Sequence, residues 1–363
     1  MVQVEVGLRK AELDTPVLWV DLDRLERNIA ALARHFQAAG VKWRPHTKGI
    51  KVPAIAHKLL AAGAIGITCA KLGEAEVMAA AGIRDILVAN QVVTPQKIAR
   101  LVHLQRHADV KVAVDNAGNV AAIAAAARAA GVEVGLLVEV DTGMHRAGTQ
   151  PGEPTLALAR HILETPGVRF LGLMTWEGHA LAVEDPAERR RCVERSIGLL
   201  MESVALCREH GIPVEVVSAG GSGTYQITPF LPGVTEIQAG GAIFCDQSYQ
   251  AWGVSLEPAL FIRTTVTSRP APDRIICDAG FKTAPRGYPP PQPLPFAVAR
   301  FLLSAEHGII TLPAAEEGWQ VGEAFDMVVG YGDATVCLHD RLYGIRDGTV
   351  EVVWNIQGRG QLR

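Results

Sequence analysis

From Val41 to Ala239 the chain repeats one pattern: a short run rich in β-branched residues, a turn, then an alanine- and leucine-rich stretch with helical spacing. That regularity constrains the fold more than any other feature, because parallel strands cannot be joined by tight turns and need a crossover each time. Strands are expected near 41–46, 64–69 ("AIGITC"), 85–90 ("DILVAN"), 110–115, 134–140 ("VGLLVEV"), 168–175, 214–218 and 235–239. Between them Ile98, Leu101, Val102 and Leu104, and later Ile197, Leu200 and Val204, recur on one helical face. Eight such alternations predict an α/β fold in which a (β/α)8 TIM barrel closes on itself. An open Rossmann sheet is the rival, but no GxGxxG follows an early strand.

The texture changes near residue 250. "TSRPAPD" and "PRGYPPPQPLP" are turn and polyproline-like segments, while "LYGIR" and "TVEVVW" alternate like strands. Residues 1–250 are therefore read as the barrel domain and 251–363 as a C-terminal β domain. The stretch "PVLWVDLDRLERNIAALARHF" predicts a strand and a helix with Leu22, Leu25, Ile29, Leu32 and Phe36 on one face, and this first strand can pack on either domain.

Composition narrows the function classes. A net charge of -3 argues against a polyanion-binding surface, so nucleic acid is not an expected partner. No run of about 18 uncharged apolar residues occurs, which argues against a membrane-spanning helix. The opening "MVQVEVGLRKAELDTP" lacks the basic and apolar regions of a leader, and the six cysteines include no CxxC pair. A cytoplasmic protein with reduced thiols is expected.

Barrel chemistry sits just past the C-terminal ends of the strands. There the chain offers His46 and Lys48, Asn90 and Gln91, Asp115, Asp141 with His145 and Arg146, then Trp176, Glu177 and His179. After the seventh strand comes "SAGGSGTY", in which Ser218, Gly220, Gly221, Ser222, Gly223 and Thr224 combine close backbone approach with hydroxyls. A plain loop is the ordinary reading of such a turn. Its place, with Gly240 and Gly241 of "QAGG" after the eighth strand, suits a phosphate. A lysine at one strand end and a phosphate cradle on the far arc of the same rim are what pyridoxal phosphate (PLP) requires. Taken alone, Lys48 reads as a solvated or substrate-binding lysine. Lys51 is the rival amine, but Lys48 lies nearer the strand end and is expected to face the barrel axis.

"TPVLWVDLDRLERNI", "RPHTK", "EVDTGMHRAG", "SAGGSGTY" and "SAEHG" together resemble the D-threonine aldolase and D-serine dehydratase group, relatives of alanine racemase. The similarity runs along nearly the whole chain. It implies an alanine racemase-like, fold-type III PLP enzyme, usually a homodimer, with Lys48 as the Schiff-base lysine. Arg146 resembles the arginine that points into the cofactor site. Gln238 falls where alanine racemases keep an arginine near the pyridine nitrogen, and His179 resembles the general base of D-threonine aldolases, a histidine that only supports the residues touching the substrate being the alternative.

The family also implies a divalent metal held by a histidine and, two residues later, an aspartate or cysteine. In "VVGYGDATVCLHD" Asp333 matches the second ligand and suits Mn2+ or Mg2+, whereas Tyr331 stands where the histidine belongs. A phenol ligates divalent metals poorly unless it ionises, which leaves His307 and His339 as substitutes. "KGIK" is a second departure: it replaces the usual threonine-histidine pair and removes a polar group beside the cofactor.

The resemblance implies a PLP-dependent carbon–carbon lyase acting on a D-3-hydroxy amino acid, giving glycine and an aldehyde. Asp333 favours this aldolase over a D-serine or D-threonine dehydratase, and Tyr331 keeps a metal-free racemase open. A bare-barrel PLP carrier fits poorly, because residues 251–363 follow the last barrel strand.

Overall fold

The computed structural model describes residues 5–363; residues 1–4, part of the stretch read for a leader, lie outside the described residues. The chain divides into two compact units. One takes in the chain up to Ala31, Gly49–Ala54 and Gly241–Arg359; the other comprises Leu32–Lys48, Ile55–Gly240 and Gly360–Arg363.

The second of these holds the barrel. Its strands are Lys42–Trp43, Ile67–Cys69, Asp85–Val88, Asp109–Val114, Val134–Glu139, Val168–Met174, Val216–Ala219 and Glu236–Ile237. Each from Ile67–Cys69 onward pairs in parallel with the next, and Glu236–Ile237 pairs with Lys42–Trp43. A parallel bridge between His46 and Thr68 closes the ring, with the Thr47 N–H donating to the Thr68 carbonyl at 2.7 Å. The (β/α)8 barrel expected from the alternation is thus present.

Two expectations are corrected here. The first strand is shorter than 41–46, because Pro45 has no N–H to contribute and breaks the ladder, although Arg44 and His46 still donate to Ile237 and Gln238. The glycine turn is also not on the far arc from Lys48: closure sets the first strand beside the eighth, so the amine and both glycine turns occupy neighbouring positions on the ring.

The crossover helices form where the sequence supplies boundaries. Thr94 caps Pro95–Leu104, Asp185 caps Pro186–Glu209 by accepting the Glu188 N–H at 2.8 Å, and Asn116 caps Ala117–Ala130. Gly131, at φ 66°, stops that last helix in the left-handed conformation glycine tolerates. The faces read from spacing are buried, from Ile98 and Leu101 to Ile197, Leu200 and Val204.

Inside the barrel, Arg44 is 3% exposed and bridges Glu236 at 2.9 Å to Asp85 at 2.5 Å, while Lys111 reaches Asp85 at 2.7 Å. A buried guanidinium is tolerable only when so paired. Burial pulls Arg44 down, but the two carboxylates more than offset it and its pKa is raised.

The first unit is built on a mainly antiparallel sheet ordered Arg300–Leu303, Gly308–Thr311, Arg274–Cys277, Leu260–Ala271, Val17–Asp21, Arg341–Arg346 and Thr349–Asn355. The strand Val17–Asp21 pairs with Leu260–Ala271 on one side and Arg341–Arg346 on the other. Trp19 stacks on Phe261 at 4.5 Å in a core with Leu13, Val328, Tyr343 and Ile345.

Candidate active site

Alternate residues of an extended strand share a face. Arg44 points into the barrel, as its bridge to Asp85 requires, and His46, in the last bridge of the run, follows on the same side. Lys48 is the first residue beyond the paired run, half-buried, and its N–H donates to His46 Nδ1 at 3.3 Å. Lys51 differs: it belongs to the other unit, is buried at φ 56°, and its carbonyl accepts the Gly358 N–H.

The turn 218–225 is braced from beneath by a carboxylate whose role the sequence did not reveal. Glu177 is fully buried and accepts from Gly220 N at 3.2 Å, Thr224 Oγ1 at 2.7 Å and Thr228 Oγ1 at 2.6 Å. Gly220 adopts φ 72°, and a Cβ on Gly221 would lie 2.5 Å from the Trp176 ring, so the turn folds this way only with glycine at both places. Gly240 N donates to Ser222 Oγ at 3.2 Å, linking the seventh and eighth turns. Ser218 Oγ donates to Glu236, and the Gln238 amide nitrogen donates to Ser218 Oγ at 3.0 Å.

On the next strands Glu139, another carboxylate not singled out from sequence, accepts from Gln91 at 2.6 Å and from Arg146 at 3.2 Å. Glu139 is 4% exposed whereas Arg146 is exposed, so the pair sets a cation at the barrel rim. Asp141 accepts the N–H groups of Gly143 and His145; these outweigh its burial and hold its carboxyl below the usual range. Gly148 N donates to Asp115.

His179 packs on Gly143, where a Cβ would come within 2.8 Å of its Nε2. Its Nε2 lies 3.3 Å from Ser196 Oγ, and that hydroxyl is itself within reach of the carbonyls of Thr142 and Cys192. With the serine hydrogen given to a carbonyl, Nε2–H donates to Oγ and the lone pair falls on Nδ1. Among the described residues Nδ1 is buried and has no partner. A buried ring nitrogen left unsatisfied is uncommon and marks His179 as a candidate site residue.

Lys48, Arg146, His179, the turn 218–224, Gln238 and Gly240 therefore all follow strands of one barrel. Gly241, Tyr331 and Asp333 belong to the other unit. There Asp333 accepts from Tyr249 at 3.2 Å and from Tyr331 at 3.1 Å. Burial and the neighbouring carboxylate push both phenols up, so they remain hydrogen-bond donors. His339 Nε2 is engaged by the Thr283 carbonyl at 2.9 Å, and His307 lies exposed next to the strand Gly308–Thr311. Among the described residues no three His, Cys, Asp or Glu side chains converge, and a donor set of one carboxylate with two protonated phenols does not fit Mn2+ or Mg2+.

The family model for the alanine racemase N-terminal domain matches residues 20–248, and that for a putative serine dehydratase domain matches residues 259–345. The chain is 37% identical over 358 residues to the D-threonine aldolase of an Arthrobacter species, covering 96% of this chain and 94% of that protein. The chain belongs to the alanine racemase-like family of D-threonine aldolases and D-serine dehydratases. This family member is also 33% identical over 374 residues to a 3-hydroxy-D-aspartate aldolase of Paracoccus denitrificans, covering 98% and 94%. Its structure superposes on the D-threonine aldolase of Filomicrobium marinum with a TM-score of 0.96 at 33% identity, covering 99% of each chain. The D-threo-3-hydroxyaspartate dehydratase of Delftia sp. HT23 follows at 0.87 and 31%, covering 96% and 98%. The resemblance and the fold class drawn from the sequence are both borne out.

Proposed function

We propose that this chain is a D-threonine aldolase-type, PLP-dependent carbon–carbon lyase that cleaves D-3-hydroxy amino acids to glycine and an aldehyde. The feature that supports the reading is Lys48: an amine just past the first strand, on the same ring as the two glycine turns. An amine, hydroxyl- and N–H-rich turns and a nearby cation together fit PLP. Bound there, PLP supplies an electron sink for the pair left when the bond breaks.

The chain's own residues do the rest. Lys48 holds the cofactor through its amine, and the turns with Ser218, Gly220, Gly221, Ser222, Gly223, Thr224, Gly240 and Gly241 hold its phosphate. Arg146, steadied by Glu139, contributes positive charge, and Gln238 is assigned to the ring nitrogen. His179 is assigned to take the proton from the substrate β-hydroxyl, the step that lets the carbon–carbon bond open. We also infer a homodimer, which the family resemblance supports, and a cytoplasmic setting, which the six cysteines without a CxxC pair support.

Borohydride reduction of the holoenzyme followed by peptide mass spectrometry tests the assignment. The PLP mass is expected on Lys48 and absent from a Lys48→Ala variant, which also loses turnover. Label on Lys51, or a variant that keeps the cofactor covalently, would overturn it.

A further inference from the structure

The family resemblance implies a cation site at Tyr331 and Asp333, yet the side chains there are arranged for another purpose. Both oxygens of Asp333 accept from phenols, Tyr249 on one and Tyr331 on the other. A hydroxyl that donates to a carboxylate competes with a cation for the same oxygen. The Tyr331 ring cannot easily swing aside, since Tyr288, Trp252 and Tyr249 surround it at 4.8, 5.9 and 6.1 Å. The other carboxylate in the cluster, Asp246, is buried and turned to the backbone N–H groups of Gly332 at 2.6 Å and Tyr249 at 3.1 Å.

The cluster is also packed against Gly49, the residue that follows Lys48 in the chain. A Cβ on Gly49 would lie 2.1 Å from Asp333 Oδ1, so glycine is what allows the carboxylate to sit there.

We propose that Tyr331 stands in place of a cation ligand: Asp333 and its two phenols form a hydrogen-bonded group, no divalent cation binds there, and the reaction of this chain runs without one. The last clause rests on the lyase reading; the binding statement does not.

The test is Mn2+ titration of chelator-treated holoenzyme, with free Mn2+ followed by electron paramagnetic resonance. The wild type is expected to bind none at this position at millimolar metal, while Tyr331→His, which restores the histidine and aspartate spacing, takes up one Mn2+ per chain. Tyr331→Asp, which places a second carboxylate beside Asp333, serves if the first variant does not fold. Stoichiometric binding by the wild type that Asp333→Ala abolishes would overturn the proposal. Failure of the folded variants to bind would overturn the role given to Tyr331. In parallel, glycine release is expected to survive chelation, and release that is lost with chelator and restored by Mn2+ counts against the proposal. No glycine release under any condition would instead refute the lyase reading, and the resonance result would stand on its own.

Discussion

Removing the Glu177 carboxylate should loosen the glycine turn and weaken cofactor retention. Glu177 is fully buried and accepts three hydrogen bonds, from Gly220, Thr224 and Thr228. Glu177→Gln keeps the volume but replaces one oxygen with an amide nitrogen. That nitrogen must face the threonines, because the Gly220 N–H cannot accept, and Thr224 Oγ1 already accepts from Gly221 N at 3.2 Å. Two charge-assisted bonds are lost or inverted, a cost of about 2 kcal/mol after the hydroxyls reorient. Glu177→Ala strands all three donors and opens a cavity, at roughly 1–3 kcal/mol per donor, so a loss of about 4 kcal/mol or more is expected. Urea unfolding followed by circular dichroism gives the stability. Equilibrium dialysis gives the PLP dissociation constant, expected to rise more than about tenfold in Glu177→Ala, which corresponds to 1.4 kcal/mol reaching the cofactor. A loss below about 1 kcal/mol with unchanged PLP affinity would refute the reasoning.

Other consequences can be measured separately. Ser196→Ala removes the hydroxyl beside His179 Nε2; kcat should fall about tenfold, while stability drops by about 1 kcal/mol. Unchanged kcat would show that Ser196 only fills space. Burial, reinforced by Asp333, raises the Asp246 carboxyl from 3.8 to about 7. The folded state then holds a proton that the unfolded chain releases near pH 4, so Asp246 contributes stability that is full below about pH 4 and lost by about pH 7. Asp246→Asn should flatten that part of the stability profile, and a parallel profile across the window would contradict the assignment.

Much of the fold is legible because it is periodic. Eight strands separated by helical stretches admit few arrangements, and caps such as Thr94, Asn116 and Asp185 punctuate them with recognisable chemistry. The place of Lys48 just past the first strand is legible for the same reason. What escaped the sequence depends on contacts between distant residues. Glu139, Glu177 and Glu236 read as ordinary charges near strand ends; only closure of the ring shows them buried against partners such as Gln91, Thr224 and Ser218. The neighbouring positions of Lys48 and the glycine turns were likewise invisible until the first strand met the eighth. Tyr331 is a visible departure from the family pattern, but the reason it can stand there lies in Tyr249 and Gly49, far away in the chain.

The most direct test of the central claim is product analysis with D-threonine and PLP. Cleavage of the Cα–Cβ bond predicts glycine and acetaldehyde in equal amounts. Formation of 2-oxobutanoate and ammonia instead would contradict it, and would move this chain to the dehydratase side of its family.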